Sequence, residues 1–125
     1  MEFERFAAML KSGFAEAGYG DTEAAFQGSS VTVKYTTGAP FDKGRVSDYN
    51  VAPGGDGIFG AAEDAGIPLR SGGTRTGPLG PRDLDALGLT NVSNALREFA
   101  GRPVNFMIFD SLEGAVARSP SILVP

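Results

Sequence analysis

A chain of 125 residues with no histidine and no cysteine cannot carry a His-based triad, a His-ligated zinc, a thiolate nucleophile or a disulfide framework, which removes most small hydrolases and many nucleases. Its 42% hydrophobic and 21% charged content is that of an ordinary globular protein, long enough to bury roughly two thirds of its unfolded surface, so residues 1–125 read as one domain. The net charge of −4 argues against a broad nucleic-acid surface, no apolar run reaches the roughly 18 residues needed to span a bilayer, and no signal-peptide pattern opens the chain.

Phe3, Phe6, Ala7, Leu10 and Phe14 recur at helical spacing before Gly18 and Gly20, which predicts a core-facing helix over 2–17. Residues 24–35 are rich in β-branched and aromatic side chains and predict a strand broken near Gly28; residues 36–44 read as a loop. A second strand is expected over 46–52, ended by Pro53-Gly54-Gly55, and Asp56 is placed to cap a helix over 57–65 that Gly66 stops. Residues 69–81 carry RSGGTRTGPLGP, too rich in glycine and proline for regular structure. Pro81 suits the first position of a short helix to Leu87, and Thr90 the cap of another to Ala100 with Gly101 behind it. The apolar run 104–109 reads as a buried strand; Asp110 and Glu113 have capping-box spacing for a last helix, and 119–125 remain as an extended tail. The expected fold class is α+β, a short mixed sheet flanked by helices.

Four groups of residues offer chemistry. In Gly28-Ser29-Ser30, turn amides and hydroxyls suit phosphate oxygens, although an ordinary turn or bulge has the same composition. On the following strand, alternation turns Asp48 and Asn50 to one face and Tyr49 and Val51 to the other. A carboxylate and an amide both offer oxygen to Mg²⁺, but the amide brings no charge; an exposed polar strand face is the alternative. Arg70 and Arg75 flank Gly72-Gly73 beside Ser71, Thr74 and Thr76, as a phosphate or nucleic-acid clamp would, or as a solvated loop would. If the late strand neighbours the Asp48 strand, Asn105 or Asp110 faces the same site; Asn105 equally suits a backbone partner at the strand start.

A helix, a strand ending in Gly-Ser, an Asp-x-Asp/Glu-type strand and a later strand with another carboxylate make up the polymerase-β-type nucleotidyltransferase fold, which this chain resembles. More narrowly, FQGSSVT, TTGAPFDKGRVSDYN, GIPLRSGGTRTGPL and GRPVNFMIF, spread over about residues 24–125, resemble nucleotidyltransferase-like toxin modules at the C-terminal tips of bacterial Rhs and contact-dependent-inhibition proteins. The resemblance implies nucleotide phosphate at Gly28 and Ser29, with Ser30 beside them, and Mg²⁺ at Asp48 and the residue at 50. Here that residue is Asn50, and the late-strand candidate Asn105 is an amide too. An amide at 50 is what a degenerate copy carries, and also what a change made to silence a toxic enzyme leaves behind.

The expected activity is therefore Mg²⁺-dependent nucleotidyl transfer from an NTP to RNA or protein, with Arg70 or Arg75 on the pyrophosphate or the acceptor, and with Asn50 as a reason for inactivity in this copy. The alternatives are a catalytically silent module of the same fold that binds nucleotide or a partner, and a metal-dependent nuclease toxin. The resemblance further implies delivery as the C-terminal part of a secreted or surface protein, action in the target-cell cytoplasm, and a cognate immunity protein that plugs the site.

Overall fold

The computed structural model describes residues 3–27, 49–118 and 121–124. Along the chain come α1 (Phe3–Glu16), β1 (Glu23–Gln27), β2 (Tyr49–Gly54), α2 (Asp56–Asp64), β3 (Leu69–Arg70), β4 (Arg75–Thr76), α3 (Pro81–Leu87), α4 (Thr90–Ala100), β5 (Val104–Phe106), α5 (Leu112–Arg118) and β6 (Ser121–Leu123). The described residues form a small α+β fold with a four-stranded mixed sheet in the order β5-β2-β1-β6 and a separate two-stranded ladder of β3 with β4. β1 runs antiparallel to both β2 and β6, whereas β5 lies parallel to β2. The residues expected as an extended tail thus supply an edge strand.

The two faces of the sheet are built differently, and this difference makes the site. On one face Phe26, Tyr49, Val51, Val104 and Phe106 meet Phe6, Leu10, Phe14 and the buried residues of α2, α3 and α4 in the main core. Phe26 sits edge-on to Phe3, Phe6 and Tyr49 at centroid distances of 5.5, 5.4 and 5.2 Å, the geometry that aromatic quadrupoles favour. Helix α1 can approach α4 closely because Gly13 has no side chain: a Cβ there would stand 2.2 Å from Val92 Cγ2. On the opposite face the inward residues are small. Ala25 and Ala52 pack with Phe109 beneath Ala115 of α5, and a Cβ on Gly54 would be 2.8 Å from the Leu112 nitrogen. Alanine and glycine therefore let α5 press onto one end of that face; at the other end Gln27 is buried, Asn105 half-buried and Asn50 exposed.

Several helix ends differ from expectation. Gly55, not Asp56, occupies the N-cap of α2, and Asp56 begins the helix, where its charge still favours the positive end of the helix dipole. Leu89 holds the N-cap of α4, while the Thr90 hydroxyl donates to Asp85 Oδ1 outside the helix axis. Ser111, not Asp110, caps α5: its Oγ accepts from the Gly114 nitrogen at 3.2 Å. Pro81 opens α3 as expected, and Gly101 ends α4 in the left-handed conformation at φ 71.

Within the glycine-rich segment after α2, two short strands form although the rest, 77–80 included, has no regular structure. Leu69 pairs with Thr76 and Arg70 with Arg75, so Gly72 and Gly73, at φ 71 and 90, form the tip of a hairpin. Ser71 shares the left-handed region at φ 55, and its carbonyl accepts from Thr74 Oγ1 at 2.9 Å. This hairpin leans on the late strand: Thr76 N donates to Ile108 O at 2.8 Å, Asp110 N to Thr74 O at 2.9 Å, and Leu79 N to Phe106 O at 2.9 Å. The run 104–109 also keeps its bonds to β2 beyond Phe106, through Met107 N to Val51 O and Phe109 N to Pro53 O.

Tyr19, just after α1, donates its hydroxyl to the Leu87 carbonyl at 2.7 Å and so ties α1 to the end of α3. Burial raises its pKa, so the contribution is complete below the unfolded tyrosine value, about 10, and fades as pH rises through the folded one. Tyr19→Phe is expected to lose about 1 kcal/mol in urea unfolding at pH 7, with the gap to the parent narrowing above pH 10. Equal stabilities at pH 7 would show that the bond adds nothing.

Candidate functional site

The parallel pairing of β2 with β5 sets Asn50 directly beside Asn105, and the antiparallel pairing of β1 with β2 sets Gln27 on the other side of Asn50. Strand alternation sends Tyr49 and Val51 into the main core, so Asn50 faces the other way and is exposed. The three amide side chains line a cleft of about 170 Å³ with Pro78, Met107 and Arg118. Gln27 is fixed there, its Nε2 donating to Ala115 O at 2.6 Å and to Ser121 Oγ at 2.9 Å. These bonds lock the end of β1 to α5 and β6, and so hold the cleft wall.

Gly28, Ser29, Ser30 and Asp48 lie outside the described residues. Their sequence neighbours do not: Gln27 and Tyr49 are the described residues on either side of segment 28–48, and both stand at this corner of the sheet. Next to it, Arg102 rests its guanidinium 4.6 Å from the Tyr49 ring centroid, and the Pro103 carbonyl accepts from the Tyr49 nitrogen at 2.9 Å.

Neither Arg70 nor Arg75 of the hairpin lines this cleft, but Arg75 touches its Met107 wall. Arg75 is half-buried; its Nε donates to Ser71 Oγ at 3.0 Å, and its Nη1 reaches Thr76 O at 3.2 Å and Met107 Sδ at 3.4 Å. Burial, and then the charges of Arg118 and Arg70, lower the Arg75 pKa. Arg70 is exposed and lies over Gly77, where a Cβ would come 2.7 Å from its guanidinium carbon. A second recess of about 280 Å³, lined by Ser71, Thr74, Arg75, Phe109 and Arg118, adjoins the first through the shared Arg118.

Asp110 does not join this group. It lies beyond Gly54, past the far end of the paired strands, in a depression of about 470 Å³ with Asp21, Glu23, Asp56 and Glu113. Five residues of extended chain separate it from Asn105, about 17 Å, too far for a shared ligand. A larger groove of about 520 Å³ between α1 and α4, lined by Met9, Glu16, Asn91 and Ala95 among others, gathers none of the expected site residues.

The described donors that line the cleft are amides and one guanidinium, with no carboxylate among them. That set does not by itself fit a hard dication, which requires anionic oxygen; with both Gln27 Nε2 hydrogens already given to Ala115 O and Ser121 Oγ, the donors that suit phosphate oxygens are the Asn50 amide and the Arg118 guanidinium. Sequence reasoning missed Gln27 and Arg118. Gln27 has a readable signal, a polar residue in phase with Ala25 at the end of an otherwise buried strand; Arg118 reaches the cleft only through the way α5 crosses the sheet. No protein-family profile matches the chain, and comparison with curated proteins and with solved structures finds no match.

Proposed function

We propose that this chain is a nucleotidyltransferase-type effector domain that seats a nucleoside triphosphate at the Asn50–Asn105 corner of the sheet. One observation carries the reading: two residues far apart in sequence, each singled out as metal- or nucleotide-facing, are register partners on adjacent parallel strands and open into one cleft. Gly28, Ser29, Ser30 and Asp48 fall in sequence between Gln27 and Tyr49, the described residues of this corner. In the reading, Gly28, Ser29 and Ser30 take phosphate oxygens, Arg70 or Arg75 balances charge on the leaving pyrophosphate or holds the acceptor, and Asp48 with residue 50 faces Mg²⁺. In the transfer an acceptor oxygen bonds to the α-phosphorus, the bond to the β-phosphate breaks, and its electron pair leaves on pyrophosphate. The acceptor proton passes to the Asp48 carboxylate, or to one at 50 in the Asn50→Asp protein.

The amides at 50 and 105 favour a second reading for the chain as it stands: a module that binds nucleotide without turning it over. The two separate by experiment. Calorimetry on the unmodified chain is expected to show NTP binding that survives chelation of divalent metal. Incubation of the Asn50→Asp protein with each α-labelled NTP and cell extract is expected to leave label on a macromolecule. Nucleotide binding by neither protein overturns both readings, and RNA shortened in place of labelled material points to a nuclease. Delivery by a larger secreted or surface protein into a competitor's cytoplasm, and neutralisation by an acidic immunity protein seated on Arg70 and Arg75, complete the proposal.

A further inference from the structure

We propose that Arg118, Arg75 and the Ser71 hydroxyl form a track for the phosphate backbone of single-stranded RNA, which leads the strand's end into the Asn50–Asn105 cleft as the acceptor. The inference rests on the nucleotidyltransferase reading and names the acceptor it left open. Arg118, exposed at the end of α5, lines both recesses and so makes them one path. Arg75 lies along the same path, held between Ser71 and the Met107 sulfur. No carboxylate is among the described residues that line either recess, although the chain as a whole is acidic.

Two guanidiniums brought together repel each other: after burial, the larger cause, the charges of Arg118 and Arg70 also lower the Arg75 pKa. A polyanion relieves that repulsion. The other end of the same sheet carries Asp21, Glu23, Asp56, Asp110 and Glu113, which repel a phosphate chain. The strand is thereby confined to the basic half and directed towards the amide cleft. A narrow line of two guanidiniums and a hydroxyl beside the half-buried Met107 suits a strand of successive phosphates.

The test measures anisotropy of a short fluorescent single-stranded RNA against the full chain over a range of salt, with calorimetric NTP binding alongside. The unmodified protein is expected to bind the RNA more tightly than the same sequence in duplex form and more tightly than a polyglutamate of equal charge. Arg118→Ala and Arg75→Ala are each expected to weaken binding at least fivefold, and the pair together to flatten the log–log salt slope by about 1.4, the loss of two phosphate contacts to a single strand. Arg118→Glu, on an exposed helix end, provides a charge reversal if Arg75→Ala disturbs the hairpin. RNA affinity and salt slope unchanged in folded Arg118→Ala and Arg118→Glu proteins overturn the proposal, as does preference for polyglutamate, which assigns the track to an acidic protein. NTP binding without RNA binding removes this inference and leaves the nucleotide site standing; RNA binding without NTP binding overturns the acceptor role together with the nucleotidyltransferase reading.

Discussion

Asn50→Asp is expected to raise metal-dependent nucleotidyl transfer by about 100-fold or more over the unmodified chain, on the scale of restoring one electrostatic contact to a developing charge. Asparagine and aspartate have nearly the same shape, so the change alters charge and little else. Asn50 is exposed at the start of β2, where substitutions shift stability by about 0.5 kcal/mol at most, and Arg118 on the same cleft favours the new carboxylate. The gain should therefore appear in turnover with the melting temperature held, and it should vanish on chelation. Asn105→Asp supplies a comparison from the neighbouring strand: its register with Asn50 brings a third oxygen to the same place, so the double substitution is expected to bind Mg²⁺ more tightly than either single one. Asn50→Ala should bind NTP and transfer nothing. Label transfer by Asn50→Asp no greater than by Asn50→Ala, with both folded, would remove the catalytic reading and leave the binding one.

The strand pairing that makes this prediction specific was only partly legible in the sequence. Period-2 alternation in the SDYNV stretch does sort Tyr49 and Val51 from Asn50, because one face of the strand is deeply buried and tolerates no polar side chain. Asn105 was legible as a partner of Asn50 only on the condition that the two strands are neighbours, since parallel pairing between β2 and β5 joins segments more than fifty residues apart and leaves no local mark. The last turn before Ser111 shows the opposite failure. Asp110 and Glu113 have the right spacing for a capping box, yet the Asp110 nitrogen is already used by the Thr74 carbonyl at 2.9 Å, and Ser111 takes the cap. Glycine content misled over the hairpin in a similar way: Gly72 and Gly73 are confined to its tip, and the flanking pairs are ordered by the late strand beside them. Local signals located helices well because caps and stops act within one turn; contacts made across the sheet decided the rest.

Phe26→Ala is expected to be the most damaging single substitution to stability considered for this fold, at about 3–5 kcal/mol. Phe26 is fully buried in the middle of β1, with Phe3 and Phe6 of α1 and Tyr49 of β2 packed edge-on around it. Its ring joins the first helix to the centre of the sheet, and Val51 stands opposite on the paired strand. Truncation removes apolar burial, three aromatic pairings and the filling of a space that rigid neighbours cannot close. Against a total of about 5–15 kcal/mol for a protein of this kind, that is a large fraction, and at about 4 °C per kcal/mol the melting temperature should fall by roughly 12–20 °C. Phe26→Leu, which keeps much of the volume, should cost less than half as much. The consequence reaches the site, because Gln27 is the next residue and its two hydrogen bonds depend on where β1 ends. NTP affinity is therefore expected to fall in Phe26→Ala even at temperatures where the protein remains folded, and to hold in Phe26→Leu. A loss below 1 kcal/mol by thermal or urea unfolding would mean that the aromatic cluster is not what fastens α1 to the sheet, and the packing argument for the amide corner would fail with it.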